Sequence, residues 1–494
     1  MFNLKQCICH FRIAATVSII FISLMFVSCS STNSFTSTEK GVSSPLQVEG
    51  FKRNLAYEGV DRDPVIFIPG FSGSSLVTAD THNNVWGSFR GLDAIRFSDE
   101  QLYHSAYPMV YGRRIEDVDD NVVADRVLQT YKIRFLGFPL TMEAYKDLAD
   151  ILVRGGYVPA NKPLPPDKHF YSLFEFPYDW RKDIPSAAAE LGEFIKQKRA
   201  YLQSEYERLY GIKNYDVKFD IIGHSMGGLI ARYYLMYGEQ DLPDDGSLPK
   251  LTWEGSRYIG KIIMSNVNNG GELVDFFSLQ RGGGMMPFPA ITLATYPTCY
   301  QQMPPAELHS FLYSDDPNGK PIDIFDVSVW VKMGWGLAAP DADASFKIML
   351  PGAKTPEERK KIAIDHLDKC LKRAKQFISA MAVPGAPPND VKMHLFLGYG
   401  IPTSKRAYFN RSTGNVDKVT YDSGDGVVLA TSALYVRNNE KNWSFFLDSP
   451  IHWDRVTILR NAHMGIVSND PTFADNLLFT LLCKQKGNDS PAQR

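Results

Sequence analysis

Val65-Ile66-Phe67-Ile68 is an unbroken apolar run of strand length, with Asp63-Pro64 before it and Pro69-Gly70 after it. A run without polar alternation suits a strand covered on both faces, as in a parallel sheet between helices. The same reading predicts strands over residues 170–176, 217–222 and 391–397. Helical spacing predicts a helix near Thr141 and helices over 186–210, 229–237 and 474–482. A further long helix starts after Thr355, which serves as its N-cap, with Pro356 at the first position and Glu358 as a capping-box partner. Leu367, Leu371, Ala374, Ile378 and Met381 continue it as one apolar stripe. Strands alternating with helices predict an α/β fold with a mostly parallel sheet and helices on both faces.

The ends of the chain follow different rules. Lys5 and Arg12 precede an apolar run over residues 13–27. That run is shorter than the ~20 residues of a membrane span and suits a secretory signal peptide, residues 1–28. Phe26-Val27-Ser28-Cys29 resembles a bacterial lipobox, although Phe26 stands where an aliphatic residue is usual. The resemblance implies lipidation of Cys29; the alternative is ordinary cleavage with Cys29 incidental. Residues 30–44 are Ser/Thr-rich, and residues 29–50 read as a flexible tether. The expected location is therefore beyond the inner membrane, as a lipid-anchored outer-membrane or periplasmic protein. Of the remaining cysteines, Cys299, Cys370 and Cys483, at most one pair can bridge within the chain.

Composition narrows the function classes. The 494 residues are 44% hydrophobic and 22% charged, with a net charge of −2. This is a globular balance with no basic excess for nucleic acid. No Cys/His spacing calls for a metal, and no cofactor is expected. Oligomeric state is left open.

Gly223-His224-Ser225-Met226-Gly227 lies between the predicted strand at 217–222 and the predicted helix at 229–237. That context is the one a nucleophile elbow requires, with Ser225 exposed at a tight bend. The partners should follow in the order acid, then histidine. Asp425, between Gly424 and Gly426, is the preferred acid, with Asp422 as its rival. Each could instead be a turn residue bonding its own backbone. His463 is the preferred base among the downstream histidines His309, His366, His394, His452 and His463, because it precedes the last helix in a late loop. Oxyanion donors are then expected at the amides of Met226, which follows the serine, and Phe71, in the turn after the first strand.

Residues 271–390 interrupt this pattern and predict a cap between core segments 51–270 and 391–494. Met285, Met286, Phe288, Trp330 and Trp335 are candidates to line an acyl chain, with a packed cap core as the alternative. Val85-Trp86-Gly87-Ser88-Phe89 is a second candidate lid.

Four pieces in order resemble the lecithin:cholesterol acyltransferase family, which includes a lysosomal phospholipase and diacylglycerol acyltransferases. They are Pro64-Val65-Ile66-Phe67-Ile68-Pro69-Gly70, Pro177-Tyr178-Asp179-Trp180-Arg181, Gly223-His224-Ser225-Met226-Gly227-Gly228, and Gly424-Asp425-Gly426-Val427-Val428 with His463 after it. The resemblance implies an α/β-hydrolase fold with a cap, acting on lipid acyl esters through Ser225, Asp425 and His463 without a metal. Two departures stand out. Val427 replaces a frequent threonine, and no cysteine lies between Leu76 and Thr141 to hold a disulfide-bound lid. Asp179, Trp180 and Arg181 read either as a buried charge network or as substrate contacts. Rival functions are a non-catalytic surface lipoprotein and a small-ester hydrolase.

Overall fold

The computed structural model describes residues 57–90, 97–135, 138–282, 288–437, 449–468 and 470–482. The signal segment 1–28, the tether 29–50 with Cys29, and Met285, Met286 and Cys483 lie outside the described residues. No described helix is long and apolar enough to cross a membrane.

Six strands form the central sheet: β1 (Val65–Ile68), β2 (Leu173–Glu175), β3 (Phe219–His224), β4 (Ile259–Ser265), β5 (Lys392–Gly398) and β6 (Arg455–Leu459). Their spatial order is β6-β5-β4-β3-β1-β2, and every neighbouring pair is parallel. β1 and β3 are buried at every position, which requires cover on both faces. The helices α1 (Ile184–Tyr210), α2 (Met226–Tyr237), α3 (Pro356–Met381) and α4 (Pro471–Leu482) complete this α/β architecture. α2 is buried along its whole length.

The order has a functional consequence. The chain leaves β1 towards β2, then returns across β1 to β3. The carboxyl ends of β1 and β3 therefore flank a switch point, the crevice where open α/β sheets bind ligands. Pro69-Gly70-Phe71 leaves one end and Ser225 leaves the other.

Several elements differ from expectation. β3 runs two residues past the apolar segment, because Gly223 and His224 pair with Ile68 and Ser265 through the backbone. The helix expected near Thr141 is Lys146–Arg154, and Thr141 itself lies in the strand Phe138–Glu143. Thr355 accepts from the Glu358 amide as a cap should, but the Glu358 carboxylate reaches back to the Lys354 amide rather than to Thr355.

Two features bear on the expected cap segment, residues 271–390. α3 follows β4 and precedes β5 in the chain and touches both the core and the insertion: Arg232 and Tyr237 of α2 donate to the Met381 and Ala380 carbonyls, Tyr233 stacks on Phe377, and His366 bonds the Thr295 carbonyl. The hairpin of Ile401–Phe409 and Val416–Gly424 joins the insertion, since Ile401–Phe409 pairs with Phe311–Tyr313. A sheet thus crosses the boundary expected at residue 390.

Burial also sets a pH response. His366 on α3 is buried and pushed down to about 4 by desolvation, with its Nε2 bonded to the Thr295 carbonyl. His224 is pushed down to about 3, first by burial and then by the neighbouring His463. In the unfolded chain both protonate near the ordinary 6.5. The unfolded state therefore binds more protons between those values, so stability is complete above about 6.5 and falls as pH falls through the window. For His366 the loss reaches roughly 3 kcal/mol. Melting temperature measured against pH should drop on this acid limb, and His366→Gln should flatten it. An unchanged slope in that variant would remove His366 from the account.

Candidate active site

Ser225 connects β3 to α2 with φ 51° and ψ −129°, a conformation that costs a non-glycine residue of order 1–3 kcal/mol. Neighbouring structure holds it there. The Ser225 amide donates to the Ser265 carbonyl at 2.9 Å, and the Ser225 carbonyl accepts from Gly228 at 2.9 Å. Gly227 lies so close to β1 that a Cβ would sit 2.4 Å from the Ile68 carbonyl oxygen. A side chain there would push the elbow off the sheet.

Ser225 Oγ lies 3.0 Å from His463 Nε2, and His463 Nδ1 lies 2.8 Å from Asp425 Oδ2. Asp425 Oδ1 accepts from the Val427 and Val428 amides at 2.8 and 2.6 Å. Asp425 is buried beside the end of β5, where Gly398 makes room: a Cβ on Gly398 would come 2.5 Å from that of Asp425. A buried carboxylate fixed this way presents one oxygen to the imidazole. His463 must then carry its proton on Nδ1, leaving Nε2 free to accept from the Ser225 hydroxyl.

The rival residues lie elsewhere. Asp422 is an exposed strand residue paired with Lys405 at 2.7 Å. His452 and His309 are exposed, His394 is buried in β5, and His366 is buried in α3.

The Phe71 and Met226 amides find no acceptor among the described residues. The Gly70 carbonyl accepts from the Gly73 amide at 3.0 Å, which orients the planar Gly70–Phe71 peptide and sends its N–H the opposite way. Both amides leave the switch-point ends of β1 and β3.

The Tyr178-Asp179-Trp180-Arg181 segment supports that turn. Tyr178 donates to the Pro69 carbonyl at 2.7 Å and Trp180 to the Ser74 carbonyl at 3.0 Å. Arg181 is fully buried and bonds Asp179 through Nε and Nη2, Asp120 at 2.8 Å, and the His104 and Ala106 carbonyls. The buried-network reading describes this arrangement. Phe71 meets Trp180 edge to face at 4.8 Å.

The aromatic residues separate into two groups. Phe288 is buried against the Pro69-Gly70-Phe71 turn, stacked on Trp86 at 4.3 Å and 6.3 Å from Phe71. Trp86, in the segment read as a second candidate lid, is itself buried and donates to the Ser72 carbonyl. Trp330 and Trp335 are buried, as the packed-core alternative expects. They pack with Phe276, Phe311 and Phe409, and their indoles donate to the Ile324 and Gly414 carbonyls. No ring contact among the described residues joins this cluster to the one around Phe71. Cys299 and Cys370 are separate buried thiols.

Two buried polar residues escape a sequence reading. Asn266 follows β4 with φ 49°, donates to the His463 carbonyl at 3.0 Å and accepts from the Gly398 amide at 2.7 Å. Tyr145 bonds both the Gly70 amide and His224. His224 sits within the elbow motif, but nothing in its spacing assigns it a partner. Among the described residues no cluster of three or more His, Cys, Asp or Glu side chains is arranged to hold a metal ion.

Among solved structures, the chain resembles one described as the Tle4–Tli4 complex, at 13% identity over 68% of this chain and 75% of that one, with a TM-score of 0.42. It also resembles Bacillus licheniformis lipase BlEst2 in two forms. The propeptide form shows 11% identity over 88% of this chain and 54% of that one, with a TM-score of 0.34. The mature form shows 11% identity over 85% and 94%, with a TM-score of 0.31. No curated protein matches the sequence. The family model described as Lecithin:cholesterol acyltransferase matches residues 83–280, a stretch that contains Tyr178 to Arg181 and the Ser225 elbow and ends before Asp425 and His463. Over residues 83–280 the chain therefore carries a domain of the lecithin:cholesterol acyltransferase family.

Proposed function

We propose that the protein is a serine acylhydrolase or O-acyltransferase acting on lipid esters. The observation that carries this reading is the continuous line Ser225 Oγ–His463 Nε2–Asp425 Oδ2. The family domain supports the ester class.

In the proposed reaction His463 Nε2 takes the Ser225 proton as Oγ attacks the acyl carbonyl. Asp425 stabilises the imidazolium, and the two amides receive the developing oxyanion. Collapse expels the alcohol, which takes the proton from His463, and leaves the acyl group on Ser225. Water or a second alcohol, deprotonated by His463, then releases it. Hydrolysis and transfer share every protein group and differ only in the acceptor.

The decisive experiment uses phospholipid with a labelled acyl chain, with and without a long-chain alcohol. Free labelled fatty acid, or labelled ester when the alcohol is present, is the expected product. Folded protein that yields neither would overturn the lipid reading. A fluorophosphonate that also fails to label Ser225 would leave a non-catalytic binding protein.

A further inference from the structure

The base and the oxyanion turn come from opposite ends of the chain, yet catalysis of the proposed kind needs them fixed relative to one another. A buried hydrogen-bonded chain joins them. The Gly70 amide donates to Tyr145 Oη at 2.9 Å, Tyr145 Oη lies 3.0 Å from His224 Nδ1, and His224 Nε2 lies 3.2 Å from the His463 carbonyl oxygen.

Donor and acceptor roles along this chain are forced. The His463 carbonyl can only accept, so His224 carries its proton on Nε2. Its Nδ1 then accepts from the Tyr145 hydroxyl, whose oxygen accepts from Gly70. Tyr145 and His224 are each at most 2% exposed, so no solvent stands in for a lost partner. Burial pushes His224 down to about 3 and keeps it neutral, as this pattern of bonds requires. Asn266 also donates to the His463 carbonyl, and the His463 amide donates to the Asp425 carbonyl at 3.0 Å. The backbone of the base is therefore held from both sides.

We propose that Tyr145 and His224 are positioning residues, a strut that sets the oxyanion turn and the His463 loop at one spacing. This rests on the proposed acyl-transfer function. The strut adjoins the reacting groups through Gly70, next to Phe71, and through the backbone of His463. Without the Tyr145 hydroxyl, the Gly70 amide loses its acceptor and His224 Nδ1 its donor. Nothing then fixes which His224 nitrogen faces the His463 carbonyl.

The test is Tyr145→Phe, measured with a soluble chromogenic ester, a fluorophosphonate and a thermal melt. Because misplacement of about 1 Å costs on the order of 100-fold, kcat and the labelling rate should fall about 10- to 100-fold. KM should stay within about twofold, since substrate contacts are untouched. His224→Gln, whose amide can donate to the His463 carbonyl, should keep more of kcat than His224→Leu. Unchanged kcat and labelling in Tyr145→Phe would overturn the strut, as would failure of that variant to fold, which would make the hydroxyl simply structural. Equal losses in His224→Gln and His224→Leu would count against it too. Wild-type protein that takes no fluorophosphonate at Ser225 would instead sink the acyl-transfer reading itself.

Discussion

Asp425→Asn should lower kcat by about 10⁴-fold while leaving the protein folded. The size of the effect follows from how the carboxylate is held. Oδ1 accepts from two amides, those of Val427 and Val428. In the variant the side-chain carbonyl must stay on those donors, because turning the NH₂ towards them would set donor against donor in a buried site. The NH₂ therefore faces His463 Nδ1, which has to become an acceptor. The imidazole proton moves to Nε2, opposite Ser225 Oγ, and the base can no longer take the serine proton. Rates with a soluble ester, beside melting curves of both proteins, measure this. A variant within tenfold of wild type would remove Asp425 from the proposed triad. Asp422→Asn is the natural control, because its exposed pair with Lys405 contributes little.

That contrast shows what was legible in the chain. Asp425 and Asp422 are three residues apart and chemically alike, so only backbone context separates them: one occupies a turn at the sheet's carboxyl edge, the other an exposed strand. A short Gly-Asp-Gly turn exposes such context in sequence. The elbow is legible for the same reason, since Gly227 is dictated by contact with β1. The central strands are legible because burial on both faces leaves continuous apolar runs. Trp330 and Trp335 mark the limit of that signal. An apolar residue announces burial but does not say whether it faces a substrate or its own cap. Tyr145 and Asn266 lie beyond it, because a buried polar residue that bridges distant segments leaves no periodic trace. The hairpin of Ile401–Phe409 and Val416–Gly424 was missed for a related reason: its partner strand Phe311–Tyr313 is far away in sequence and only three residues long.

Arg181→Met is expected to destabilise the protein by about 3–5 kcal/mol, the cost of leaving buried carboxylates without their cation. Arg181 is fully buried and Asp179 nearly so; the guanidinium spans both Asp179 oxygens and reaches Asp120. Burial already pushes the Asp120 carboxyl above its ordinary value, and Arg181 is the main influence pulling it back. Methionine restores much of the volume, so cavity formation is a minor part of the loss and electrostatics the main part. That assignment fixes the pH response. Without Arg181, the Asp120 carboxyl gains stability by binding a proton, so the deficit should be smaller at pH 5 than at pH 8. Denaturant unfolding of both proteins at the two pH values gives the comparison. A deficit below 1 kcal/mol, or one independent of pH, would show that the network is not held by charge. The same variant bears on chemistry, since Trp180 lies between this network and Phe71. If the network holds the oxyanion turn, the folded fraction of Arg181→Met should also lose kcat, with KM less affected.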